Sequence, residues 1–319
     1  MNKILEIFPT SDADFQRDVI FGLSQAQKSI PCKWFYDEAG SVLFEAITKT
    51  EEYYPARVET RLLKQVVEEV AIILPKLSLV VEPGSGASIK TRILLSSQKH
   101  LSAYIPMDIS EDFLNAIAQQ LHQDFPHIKT IPVVGDFTNI SVPLELDSHA
   151  QRLVFFPGST IGNFSPREAN CLLQSFHYLA GIDGWLLIGV DSTQNQAQLL
   201  AAYNDKEGVT AQFNKNLLLR VNRELGANFV HAQFAHEARF NSVEGRIEMH
   251  LVSLSEQTVM IAGYQFQFAV GETIFTENCY KYTRQQFLDI ASECGWSMGY
   301  AWQDQIESRF ELFLLKPTS

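Results

Sequence analysis

The 319-residue sequence predicts an α/β fold built on a doubly wound, mostly parallel sheet, with a second α+β region drawn from segments on either side of it. Three observations carry this reading. Apolar runs of strand length alternate with helix-period stretches between residues 57 and 195, each run ends in polar residues, and a final helix is followed by two more strand-like segments.

A helix is expected over Arg57 to Ile73. The first apolar run, Leu77, Leu79, Val80 and Val81, reads as a strand buried on both faces. It ends in Glu82-Pro83-Gly84-Ser85-Gly86, and helical spacing resumes from Ile89 to Leu95. Gly84 and Gly86 let the backbone approach a ligand closely, although the third glycine of the dinucleotide fingerprint is absent. Taken alone, the pattern equally describes a tight strand-to-helix turn.

The next strand ends decide between these. Ala103 to Met107 runs into Asp108, before a helical stretch from Glu111 to Gln120; a carboxylate there sits where ribose hydroxyls arrive. Thr130 to Val134 ends in Gly135-Asp136-Phe137, offering one carboxylate for an adenine amino group and one ring to stack on the base. Leu153 to Phe156 ends in Pro157-Gly158-Ser159-Thr160-Ile161-Gly162-Asn163-Phe164, followed by a helix over Arg167 to Leu179 and a strand over Gly184 to Asp191. Any one of these ends reads as a solvated loop or a helix cap. Four together place a ligand at the carboxyl edge of the sheet.

Past Asp191 the rhythm changes. Helices are expected over Gln194 to Tyr203 and Phe213 to Leu225, then alternating strands over Glu237 to Phe240, Arg246 to Ser255 and Gln257 to Ile261. These elements and the first 56 residues form the expected substrate-binding domain (1–56 with 196–282), beside a core of 57–195 completed by 283–319. In that last segment a helix over Thr283 to Cys294 precedes an antiparallel hairpin, Met298 to Trp302 with Phe310 to Leu315. Such a hairpin is common where the sheet binds S-adenosylmethionine, so the expected fold is a Rossmann-like class I methyltransferase sheet rather than a dehydrogenase.

Bulk properties narrow the partners. The net charge is −12 with no Lys/Arg run, which argues against nucleic acid or an anionic membrane. Met1 to Pro9 holds too short an apolar run for a signal peptide, and no stretch has the length of a membrane span, so a cytoplasmic protein is expected. Cys32, Cys171, Cys279 and Cys294 form no C-x-x-C pair and the eight histidines are dispersed, so no metal site is expected. A monomer acting on a small molecule is the resulting expectation.

Beyond these readings, the motifs resemble the L-histidine Nα-methyltransferases, the first enzymes of ergothioneine biosynthesis. The resemblance is carried by Glu82-Pro83-Gly84-Ser85-Gly86 with Lys90-Thr91-Arg92, Pro106-Met107-Asp108, Gly135-Asp136-Phe137 and the Gly158-to-Phe164 segment. Outside the core it extends to Tyr36-Asp37-Glu38-Ala39-Gly40-Ser41, Glu52-Tyr53-Tyr54-Pro55-Ala56-Arg57, Arg246-Ile247-Glu248-Met249-His250 and Thr276-Glu277-Asn278-Cys279-Tyr280-Lys281.

The resemblance implies methyl transfer from S-adenosylmethionine to an α-amino nitrogen, three times, giving hercynine and S-adenosylhomocysteine. It implies cofactor contacts from Glu82, Gly84, Gly86, Lys90, Asp108, Asp136, Phe137 and Gly158. Asn163 would hold the amino group with Tyr36 beside it, Tyr203 would bind the carboxylate, and Tyr53, Met249 and Glu277 would receive the imidazole. Where the family has a serine two residues after that glutamate, this sequence has Cys279, a weaker hydrogen-bonding partner. An enzyme of the same fold acting on tryptophan or another aromatic amino acid or amine is the alternative. A non-catalytic S-adenosylmethionine binder is disfavoured, since binding alone needs no second polar pocket.

Overall fold

The computed structural model describes residues 5–6, 11–86, 89–139 and 150–318. Most of the Met1 to Pro9 stretch read above for a leader lies outside them, as do Ala87 and Ser88 of the glycine turn. The chain divides into two compact units, one of Met1–Pro9, Pro55–Thr193 and Lys281–Ser319, the other of Thr10–Tyr54 and Gln194–Tyr280.

The first unit is organised by one sheet. Across it run Leu5–Glu6, Val133–Val134, Ala103–Asp108, Leu77–Pro83, Gln151–Phe156, Trp185–Asp191, Phe310–Pro317 and Trp296–Gln303, with Lys129–Thr130 pairing to Ala103–Asp108. The strands are parallel up to Trp185–Asp191, and the last two are antiparallel, as the sequence predicts. Val80, Leu153, Val154, Leu187, Ile188 and Leu314 at its centre have no exposed surface. Each such side chain contributes ~1.5–3 kcal/mol through burial, which is why these strands read as unbroken apolar runs.

Helices flank the strands. Tyr54–Ile73 begins three residues before the expected start. Pro166–Ala180 opens on a capping box, Ser165 with Glu168, and carries Pro166 where a missing N–H costs nothing. Arg284–Glu293 opens on another, Thr283 with Gln286. The final hairpin is pinned to the sheet's helical layer by the Trp296 indole N–H, which donates to the Leu173 carbonyl at 2.9 Å.

The second unit is α+β. Its sheet runs Lys28–Ser29, Thr273–Tyr280, Arg246–Ser253 and Phe234–Asn241, with a separate hairpin of Gln257–Ile261 and Tyr264–Phe268. The helices are Asp12–Leu23, Glu38–Ile47, Gln196–Ala202 and Val209–Leu225. The last starts four residues before the expected Phe213, because the Asp205 carboxylate accepts from the N–H groups of Val209 and Thr210 at 2.8 and 2.7 Å.

Candidate active site

In the first unit, the residues singled out at four adjacent strand ends converge on one edge of the sheet. The glycine turn folds back on the neighbouring strand: the N–H groups of Gly84 and Ser85 both donate to the Met107 carbonyl, at 2.8 and 3.1 Å. Gly84 takes φ +67°, and a Cβ there would lie 3.2 Å from the Phe137 ring. The turn thus requires glycine for its conformation and for the approach of that ring. Phe137 is held edge-on between Phe156 and Phe164, with centroids at 5.8 and 6.2 Å.

Two carboxylates frame this platform. Asp108 accepts the Ser110 N–H at 3.0 Å. Burial pushes its carboxyl above the usual aspartate range, against the pull of the Ser110, Gly86 and Ile109 N–H groups. Asp136 accepts the Thr138 N–H at 2.9 Å. Ser85, at the centre of the turn, has a buried hydroxyl with no hydrogen-bond partner among the described residues.

Glu82 lies near the end of the strand before the glycine turn, and Lys90 lies on the Ile89–Ser97 helix that follows it. The Glu82 carboxyl is 2% exposed, and its Oε2 accepts from the Tyr104 and Thr91 hydroxyls at 2.6 and 2.7 Å. Desolvation raises its pKa to about 7, the hydroxyls and Lys90 opposing. Lys90 is ion-paired with Glu59, a fully buried residue of the Tyr54–Ile73 helix.

Glu59 carries no motif signal, yet it organises the segment leading to Asn163. Both of its oxygens accept the Gly158 N–H, at 2.9 and 2.8 Å, and a Cβ on Gly189 would collide with it. Gly158 and Ser159 have φ +91° and +55°, so two consecutive left-handed residues turn the chain into the short Thr160–Asn163 helix. The Ser159 hydroxyl accepts the Asp191 N–H at 2.9 Å, and the Asp191 carboxylate is paired with buried Lys281, also at 2.9 Å. Asn163 itself is half-buried.

In the second unit, three predicted tyrosines fall in one chain of edge-on rings. Tyr36 meets Phe44 at 5.6 Å, Phe44 meets Tyr53 at 6.3 Å, and Tyr53 meets Tyr203 at 6.1 Å. Tyr36 is placed by its neighbour Asp37, which caps the Glu38–Ile47 helix through the Gly40 N–H at 2.7 Å and accepts from Asn216 at 2.8 Å.

Met249, Glu277 and Cys279 share one face of the sheet. Met249 pairs with Glu277 and Ile247 with Cys279, and directly paired residues point the same way. All three are buried, at 2%, 8% and 3% exposure. A bulge between Met249 and His250 shifts the register just beyond them, and the Thr276 hydroxyl bonds the Met249 carbonyl at 3.0 Å.

Among the described residues, no group of three or more His, Cys, Asp or Glu is arranged to hold a metal ion, and no helix is long and apolar enough to cross a membrane. A family model described as "Histidine-specific methyltransferase, SAM-dependent" matches residues 15–317. The chain belongs to that family. This methyltransferase is 39% identical over 275 residues to histidine N-alpha-methyltransferase of Mycobacterium tuberculosis, covering 85% of each chain. It is 38% identical over 294 residues to the enzyme of the same name from Mycolicibacterium smegmatis, covering 91% of each. It is also 26% identical over 314 residues to 4-dimethylallyltryptophan N-methyltransferase easF of Epichloe festucae var. lolii, covering 90% of each.

The protein is therefore an S-adenosylmethionine-dependent N-methyltransferase. The strand-end residues fit that methyl donor: a bare glycine turn beside an aromatic ring, two carboxylates at neighbouring strand ends, and a buried Ser85 hydroxyl with no hydrogen-bond partner among the described residues. Neither Ser85 nor Glu59 stands out in the sequence. Ser85 is the variable position inside the G-x-G motif, and Glu59 resembles any other charge on an amphipathic helix.

Proposed function

We propose that the enzyme methylates L-histidine on its α-amino nitrogen, three times in succession, to give the Nα,Nα,Nα-trimethyl betaine hercynine. The observation that carries this is Glu277, a carboxylate 8% exposed and paired with Met249 on the face that also holds Cys279. A buried carboxylate favours a substrate that offers it an N–H, because a charge-assisted hydrogen bond in a desolvated site is stronger than a neutral one. The identity to two histidine N-alpha-methyltransferases supports the same substrate.

When bound, S-adenosylmethionine supplies a methyl group activated by its sulfonium, so no covalent nucleophile is needed from the protein. The chain has three tasks: to hold an uncharged amine in line, to keep water out and to recognise the side chain. Desolvation favours the uncharged amine, and an uncharged acceptor such as the Asn163 amide oxygen orients it without the negative charge that would favour the ammonium form. In this reading the Asn163 amide orients the amine, and Tyr36 is assigned an orienting phenol. Tyr203 takes the carboxylate. Tyr53, Met249 and Glu277 receive the imidazole, Glu277 accepting its N–H. In the first unit, Asp108 accepts the ribose hydroxyls, Asp136 the adenine amino group, and Phe137 stacks on the base, while Glu82, Gly84, Gly86, Lys90 and Gly158 shape the methionine end.

Cys279 favours one second reading. A thiol is a weak hydrogen-bond partner, so the face read by Glu277 also suits an indole N–H, and an indole-substrate N-methyltransferase is among the relatives. Mass spectrometry of the purified protein with S-adenosylmethionine, the twenty amino acids and tryptamine separates the two. Histidine gaining three methyl masses is the expected result; methylation of an indole substrate in its place would overturn it.

Glu277→Ala is expected to lower the ratio of kcat/KM for histidine over tryptophan by roughly tenfold or more, the range of one lost charge-assisted hydrogen bond. An unchanged ratio would show that the side chain is read elsewhere.

A further inference from the structure

We propose that His236 is a positioning residue for Tyr203: its imidazole holds the Tyr203 carbonyl, and Asn214 fixes which ring nitrogen carries the proton. The proposal rests on the reading that the Tyr203 phenol binds the substrate carboxylate.

His236 lies on the Phe234–Asn241 strand, where it pairs with Leu251 and, two residues on, Ala238 pairs with Met249. It therefore faces the same way as Met249 and Glu277. Its Nε2 is 2.9 Å from the Tyr203 carbonyl oxygen. A carbonyl oxygen only accepts, so Nε2 must carry the hydrogen.

The other nitrogen gives the same answer independently. Nδ1 is 2.9 Å from the Asn214 amide nitrogen, and that nitrogen is also 3.1 Å from the His250 carbonyl oxygen. Turning the amide over would set its oxygen against that carbonyl. Its two hydrogens therefore go to His250 and to Nδ1, and Nδ1 offers a lone pair. His236 is thus the neutral Nε2–H tautomer. Desolvation lowers its pKa in the same direction. An imidazolium would put an Nδ1–H against the Asn214 N–H.

The bond matters because of where Tyr203 sits. It follows the last residue of the Gln196–Ala202 helix, where carbonyls have no partner within the helix. The His236 N–H supplies one, and so fixes the backbone from which the phenol extends toward Tyr53. Nothing in the sequence marks this residue, a single histidine in an alternating strand. Only the tertiary fold brings the helix end to it.

The test is steady-state kinetics with histidine varied, together with calorimetry of S-adenosylmethionine binding, on four variants: His236→Leu, His236→Gln, Tyr203→Phe and the double His236→Leu/Tyr203→Phe. His236→Leu is expected to raise KM for histidine by roughly tenfold, the effect of one lost buried hydrogen bond, with S-adenosylmethionine affinity unchanged within about twofold. His236→Gln, whose amide N–H reaches the same carbonyl, is expected to recover most of the loss, and the double variant to be no worse than the worse single one. Equal loss in the Leu and Gln variants, or additive losses in the double, would overturn the proposal. An unchanged KM in Tyr203→Phe would instead sink the carboxylate reading on which it rests. Nitrogen NMR of His236 in the unaltered enzyme stands apart from any variant's folding: the Nε2–H tautomer is expected, and an Nδ1–H tautomer overturns the proposal.

Discussion

Asn163→Ala is expected to lower kcat by roughly 10²- to 10³-fold, the range seen when one preorganised polar group is removed from a reacting centre, while S-adenosylmethionine affinity changes by about threefold or less. The residue is firmly placed. Glu59 grips the Gly158 N–H with both oxygens, the Ser159 hydroxyl takes the Asp191 N–H, and Lys281 closes the network on the Asp191 carboxylate. Gly158 adopts its positive φ freely, but the left-handed conformation of Ser159 is costly to hold, and these buried contacts over-determine it. The segment leading to Asn163 is thereby held in one backbone conformation, and Asn163 is the half-buried residue at its end.

In the proposed reaction the Asn163 carbonyl oxygen accepts one amine hydrogen and so points the nitrogen lone pair at the methyl group. Alanine keeps the backbone but releases the amine, which lowers turnover and spares the cofactor site. Measuring kcat under saturation beside a calorimetric Kd separates these effects. Equal losses in both would place Asn163 in the cofactor site. Asn163→Asp sharpens the contrast, because an added negative charge favours the protonated amine. Its kcat is expected to recover as rising pH deprotonates the amine, and a flat pH profile would count against contact with the amine.

The parts of this enzyme legible in its sequence are those fixed by local pattern. The buried strands are apolar over the residues before their carboxyl ends, so Asp108, Asp136 and the glycine turn stand out as carboxyl-edge residues. The sequence predicts a third strand continuous from Thr130 to Val134. It is instead split into Lys129–Thr130 and Val133–Val134 around Pro132, which has no N–H to give a neighbour. Besides the two-residue Lys28–Ser29, two longer strands of the second unit, Tyr264–Phe268 and Thr273–Tyr280, are absent from the sequence expectation. In the latter a bulge interrupts the alternation that would mark it.

Residues whose importance is purely tertiary leave no trace. Glu59 is distinguished by Gly158, 99 residues away, and by the bare backbone of Gly189. His236 is distinguished by a helix carbonyl 33 residues upstream. No periodicity or spacing rule reaches such pairs, whereas motif resemblance alone gathers Tyr36, Tyr53 and Tyr203, which the structure joins through Phe44.

Asp108→Asn is expected to have two opposite effects: S-adenosylmethionine binds roughly 30-fold or more weakly, yet the ligand-free enzyme becomes more stable at neutral pH. The first follows from the proposed ribose contact. A carboxylate accepts two hydroxyl hydrogens with charge assistance, each worth ~1.5–3 kcal/mol, whereas an amide accepts one and turns an N–H toward the other. The second follows from the direction in which burial shifts Asp108. Its carboxyl is raised above the ordinary aspartate value of 3.8, so the folded chain holds that proton more tightly than the unfolded chain does. Stability is therefore lost as pH rises from the unfolded pKa through the folded one, and at neutral pH the enzyme carries the full cost of a desolvated charge. Asparagine removes that cost and keeps an oxygen for the Ser110 N–H. Thermal melts of the two ligand-free proteins should differ at pH 7 and converge toward pH 4. A variant less stable than the parent at pH 7, or one with unaltered affinity by calorimetry, would show that Asp108 serves the fold rather than the cofactor. The expected pairing of a binding loss with a stability gain is what distinguishes a charge kept for its ligand.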